Sequence, residues 1–147
     1  MIKTIEQWLT GKRLLIILTM AAAVWFSFTA VMTVLRYRLN YASAYDFGIF
    51  SQMYYYMDKG LSPLTTCERD GLLSHFAVHL SPVFYVLLPF YKLVPRPETL
   101  LVLQSLVVIS GMVPLCLLAR TFCFTRLQTL CFGLMYCFYP AFMGGCF

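Results

Sequence analysis

Three apolar runs divide the sequence. The first, LLIILTMAAAVWFSFTAVMTVL (Leu14–Leu35), carries no charge over about 22 residues, enough to cross a bilayer at about 1.5 Å per residue. Arg36 and Arg38 follow it where a signal peptide would show a small-residue cleavage site, so it reads as a retained transmembrane helix over residues 14–36. The second run, TLLVLQSLVVISGMVPLCLLA (Thr99–Ala119), opens behind Pro97 and Glu98, which suit a first helical turn, and closes at Arg120. It predicts a span over residues 97–120, kinked near Gly111 and Pro114. The third, LQTLCFGLMYCFYPAFMGGCF, predicts a span over residues 125–145 and reaches Phe147 with no polar exit, as expected of the front part of a larger membrane protein.

Residues 37–96 are mixed, with the turn signals KGLSP, ERDG and VPRP separating aromatic stretches. Phe47, Phe50, Tyr54 and Met57 recur at helical spacing, and Ile49, Met53 and Tyr56 widen the same side. This predicts a helix over about residues 44–59 lying in the headgroup region. A second such helix is expected over about residues 82–94, with Ser81 as its cap, Pro82 at the first helical position, a kink at Pro89 and a stop at Pro95. The expected fold is therefore an all-α membrane protein: one membrane domain over residues 1–147, with three transmembrane helices and a long extracytoplasmic loop carrying two interfacial amphipathic helices.

Composition supports a bilayer as solvent, because 61% of the residues are hydrophobic, 17% aromatic and 12% charged, with mean hydropathy +0.76. The net charge of +5 is spread along the chain, which fits lipid headgroups and excludes a nucleic-acid site. Lys3, Lys12 and Arg13 precede the first run, and Arg120 and Arg126 lie between the second and third, so those ends are expected on the cytoplasmic side of the cell membrane. The loop over residues 37–96 is then extracytoplasmic; its own basic residues count little at such a length. Five of the six cysteines (Cys116, Cys123, Cys131, Cys137, Cys146) fall in the apolar C-terminal third and read as small hydrophobes, whereas Cys67 is a free thiol or an inter-chain candidate.

Candidate chemistry concentrates in the loop. Asp46 follows the first span closely; Ser43 and Asp46 match the S-x-x-D pattern of a helix capping box, and the same carboxylate is placed to act as a base at the bilayer edge. His75 and His79 stand four apart, with Cys67, Glu68 and Asp70 upstream, a weak metal-ligand pattern whose plainer reading is hydrogen-bonded structural histidine. Gln104 is the polar group of the second span, expected in an interhelical hydrogen bond. Gly144 and Gly145 suit either close helix packing or the start of a loop.

The segments AYDFGIFSQ (44–52), HLSPVFYVLLPFYKLVPRPETLLVLQ (79–104) and MVPLCLLAR (112–120), in this order and spacing, resemble the start of the DUF2079 family of multi-pass membrane proteins. That family's layout is similar to the GT-C glycosyltransferases, which move a sugar from a polyprenyl-phosphate carrier to an acceptor and place a catalytic acid in the first outer loop. The resemblance implies Asp46 as the catalytic residue and His79, in its H-x-S-P element, as a substrate-binding residue. Arg36, Arg38 and Arg69 are the cations available to the carrier phosphate, and a divalent metal ion is the candidate cofactor. Family members continue through further spans beyond Tyr139 and Pro140, so the implied activity needs a missing C-terminal part or a second chain, and the isolated chain is expected to be inactive. The alternative is a non-catalytic small integral membrane protein, a subunit or a transporter-like fragment in which Asp46 only caps a helix.

Overall fold

The computed structural model describes residues 2–41 and 44–139. It is built almost wholly of helices: α1 (Ile2–Trp8), α2 (Gly11–Arg38), α3 (Ala44–Asp58), α4 (Val83–Leu93), α5 (Pro97–Ser110), α6 (Met112–Thr121) and α7 (Arg126–Cys137). A short antiparallel pair, β1 (Leu64–Thr65) and β2 (Leu73–Ser74), lies between α3 and α4, with Leu64 opposite Ser74 and Thr65 opposite Leu73. The chain divides into two compact units, Met1–Thr33 with Gln104–Phe147, and Val34–Leu103.

Two helices among the described residues are long and apolar enough to cross a bilayer: Gly11–Arg38, and Pro97–Thr121, which joins α5 and α6. Both expected spans are thus helical, and the first is longer at each end than its uncharged core. The third behaves differently. As described, α7 has 12 residues, about 18 Å of helix against a hydrocarbon core of about 30 Å. Residues 140–145 of that expected span, Gly144 and Gly145 among them, lie outside the described residues.

In the first unit, Leu18 and Trp25 of α2 pack with Ile109, Met112 and Cys137. Gly133 lets α7 approach here, because a Cβ at that position would overlap the Leu18 side chain. The N-terminus of α7 is closed by a capping box in which Thr125 accepts from the Gln128 N–H while the Gln128 side chain accepts from the Thr125 N–H. Glu6 adds a third contact, accepting from the Leu127 N–H at 3.0 Å. The second span breaks at Gly111, where Pro114 removes one helical donor and the Val108 carbonyl takes the Gly111 N–H at 3.1 Å. The Tyr136 hydroxyl also donates to that carbonyl, and a Cβ on Gly111 would collide with the phenol.

In the second unit, Met53, Tyr54 and Met57 of α3 bury against Tyr91, with Phe84, Leu87 and Leu88 of α4 completing the core. The apolar face expected in the headgroup layer is therefore satisfied by protein. The Tyr54 hydroxyl donates to the Phe84 carbonyl at 3.1 Å, and burial pushes its phenol up to about 12. Helix α4 starts one residue later than expected: Pro82 occupies the cap and no side chain caps it, so Ser81 contributes only its carbonyl, which accepts from the Phe84 N–H.

Gly111→Ala should lower the unfolding midpoint in detergent, by an overpacking cost of about 1–3 kcal/mol. Adding Tyr136→Phe should recover part of that loss, and an unchanged midpoint in Gly111→Ala would refute the contact. Glu6 predicts an acid dependence. Its hydrogen bonds to Thr125 and then to Leu127, with the nearby Arg126 charge, hold its carboxyl below the usual 4.5. The contribution of Glu6 is complete above 4.5 and is lost as pH falls through the lowered folded value. Glu6→Gln should flatten thermal stability against pH in that acid window alone.

Candidate functional site

The first turn after the first span places the candidate acid. Helix α2 ends with Asn40 in the left-handed region at φ 57°, its N–H on the Tyr37 carbonyl and that of Tyr41 on the Arg36 carbonyl. This is the paired closure usually made by Gly, and Asn is among the few other residues that adopt it readily. The Arg36 guanidinium donates to the Tyr41 carbonyl at 3.3 Å and tightens the same turn. Arg38 reaches Glu98 in the first turn of α5, Nε to Oε1 3.2 Å, joining the end of one candidate span to the start of the other. Arg36 and Arg38 thus have structural partners, while Arg69 is exposed in the loop between β1 and β2.

Asp46 is the third residue of α3 and is exposed. A carboxylate there is favoured by the helix dipole, so the capping role is physically sound; Ser43, the other half of the expected box, lies outside the described residues. Both sequence neighbours of Asp46 are anchored. The Tyr45 hydroxyl donates to the Cys67 carbonyl, and Phe47 packs edge-on against Tyr37 with ring centroids 5.1 Å apart. The carboxylate therefore projects from backbone held on both sides.

The loop that Tyr45 grips is itself bound to α3 by Gln52. Its Oε1 accepts from the Thr66 N–H at 2.9 Å and from the Thr65 hydroxyl at 3.2 Å, and its Nε2 donates to the Thr66 hydroxyl at 3.0 Å. The Cys67 thiol also approaches Oε1, at 3.5 Å. An edge strand of two residues needs such partners, because its outer amide and carbonyl groups have no second strand to meet.

Beyond Cys67, Glu68 turns inward. Both of its carboxylate oxygens lie 3.0 Å from His75 Nδ1, and the His75 side chain is only 4% exposed. Phe50 and Phe84 flank the imidazole at centroid distances of 5.7 and 5.6 Å. His75 opens a 3₁₀ turn over His75–Ala77, capped by Ser74, and its carbonyl accepts the His79 N–H at 2.9 Å. The two rings lie 5.8 Å apart, with His79 exposed. The pair expected on one helical face is thus split into a buried member and an exposed one.

A metal centre does not fit this donor set. Glu68 contacts His75 directly, Cys67 faces Gln52, and no group of three or more His, Cys, Asp or Glu side chains among the described residues is arranged to hold an ion. Asp46, His79, Arg38 and Arg69 all belong to the Val34–Leu103 unit, and Arg38 is engaged with Glu98 rather than with Asp46. Sequence reasoning passes over two features: Gln52, and the direct pairing of His75 with Glu68, an acid it sets beside that histidine only as a possible metal ligand while giving a hydrogen-bonded structural histidine as the plainer reading. The signal available for the second was an acid seven residues ahead of a histidine across a Gly-containing turn.

Glu68→Ala should strip a buried imidazole of its partner, a loss of about 1–3 kcal/mol. Hydrogen exchange of the amides in residues 64–76 should speed up while those of α2 stay protected. Unchanged protection would show that the contact does not hold the hairpin.

No curated protein and no solved structure matches the chain. The model of DUF2079, described as a predicted membrane protein, matches residues 35–147, which takes in α3, the hairpin, α4 and the second candidate span. The chain belongs to this family of membrane proteins.

Proposed function

We propose that this protein is the N-terminal module of a GT-C-like membrane glycosyltransferase, with the lipid-linked sugar met at the outer end of the first span. The observation that carries the reading is the exposed Asp46 carboxylate, held between two anchored aromatic residues in the first turn of α3. In this reading Asp46 takes the proton from an acceptor hydroxyl as the oxygen attacks the anomeric carbon. The polyprenyl phosphate leaves with the bonding electron pair, so a single displacement inverts the centre. His79 and Arg69, exposed in the same unit, are the groups left to meet the carrier phosphate. Arg36 and Arg38 act indirectly, by holding the turn and the two helix ends.

The same reading puts the N-terminus on the cytoplasmic side of the cell membrane and residues 37–96 outside. Support comes from the first unit, where Arg126 Nη1 donates to the Leu9 carbonyl at 3.4 Å. The basic start of the chain and the basic connector before α7 therefore lie at one end of that unit, as the positive-inside rule requires.

The test uses membranes in which this module is expressed together with the further spans the reading calls for, and a labelled polyprenyl-phosphate sugar. Asp46→Asn should lower turnover by about 10²–10⁴-fold, the usual worth of a general base, at unchanged expression. His79→Ala should raise the KM for the donor more than it lowers kcat. Transfer that persists in Asp46→Asn would remove the acid from the chemistry, and donor binding without any transfer would favour a non-catalytic subunit.

A further inference from the structure

The first unit carries a groove that the proposed chemistry does not use. It has a volume of about 320 Å³ and runs along α2 at Leu15, Leu18 and Ala22 and along α6 at Met112 and Cys116, ending at Arg120. Its walls belong to the two helices able to cross a bilayer, so an alkyl chain is the natural filling. Arg120 is exposed at the end of the second of these helices, in the last turn of α6, and it takes part in none of the ion pairs among the described residues. A cation at the mouth of an apolar slot complements a molecule with one hydrocarbon arm and an anionic head. A second groove in the same unit supplies the contrast: about 720 Å³, lined by residues such as Met20, Val24, Phe28 and Phe138, with no charged side chain in its wall.

We propose that the α2–α6 groove is a binding site for an anionic glycerophospholipid, one acyl chain lying along Leu15, Leu18 and Ala22 and the phosphate resting on Arg120. Basic pockets between transmembrane helices recognise lipid headgroups in this way. The larger groove, lacking a cation, takes chains without regard to headgroup.

Native mass spectrometry of the protein, extracted with an equimolar mixture of phosphatidylglycerol and phosphatidylcholine, reads the preference directly. Phosphatidylglycerol adducts should outlast phosphatidylcholine adducts. Arg120→Gln should erase about fivefold of that preference, the factor given by about 1 kcal/mol. Arg120→Lys should retain it, which separates loss of charge from loss of fold. Lys12→Gln, which removes a basic residue outside the groove, should leave the preference in place. Val113→Trp fills the groove from an exposed position and should weaken binding of both lipids there. Equal retention of the two lipids, or an equal loss in Lys12→Gln, would overturn the site in favour of non-selective surface attraction. Displacement of phosphatidylglycerol by sub-equimolar polyprenyl phosphate would overturn it in favour of the isoprenoid carrier.

Discussion

Each bend in this chain must find partners for its backbone polar groups, most of all where it lies in the hydrocarbon of a bilayer and no water replaces a missing hydrogen bond. Among the described residues the structure meets that requirement at several bends, each with its own device. At the end of α2 it is Asn40 in a left-handed conformation, with the Arg36 guanidinium on the Tyr41 carbonyl. At the turn between α6 and α7, Cys123 takes the same conformation at φ 54°, and the Phe124 N–H returns to the Ala119 carbonyl. At the break in the second span the Tyr136 hydroxyl serves the Val108 carbonyl, and at the start of α7 the Thr125 cap is reinforced by Glu6.

The same constraint explains why the long loop is more than a connector. Its two helices bury part of their apolar surface in each other, around Met53, Met57 and Tyr91, while Val86, Phe90 and Leu93 of α4 stay exposed, and its hairpin is sealed by a Gln52 amide and a Glu68–His75 contact. A buried imidazole packed between Phe50 and Phe84 is costly unless its nitrogen is engaged, and Glu68 engages it. The result is a folded unit that presents a few polar side chains outward, Asp46, Arg69 and His79 among them. Such a unit fixes the backbone from which the Asp46 carboxylate projects, through Tyr45 on one side and Phe47 on the other.

Much of this was legible in the sequence because it is written in consecutive residues. Uncharged runs of span length pointed to α2 and the α5–α6 pair, aromatic periodicity placed α3, and Pro82 and Pro95 bracketed α4, each within a residue or two of the observed bounds. Gly111 and Pro114 marked the break in the second span. The position of Asp46 in the first turn of a helix was likewise readable from its local pattern.

Pairings between distant positions were decided by tertiary structure alone. Nothing in the stretch around Gln52 says that it clasps Thr65 and Thr66, and nothing around Tyr136 says that it fills the gap at Gly111. The two histidines looked equivalent by spacing, yet His75 is buried on Glu68 while His79 faces outward. The arginines looked equally available, yet Arg38 meets Glu98 across sixty residues of sequence. Helical periodicity is a property of one segment and its solvent, whereas a partner is chosen by whichever group the folded chain brings within hydrogen-bond reach.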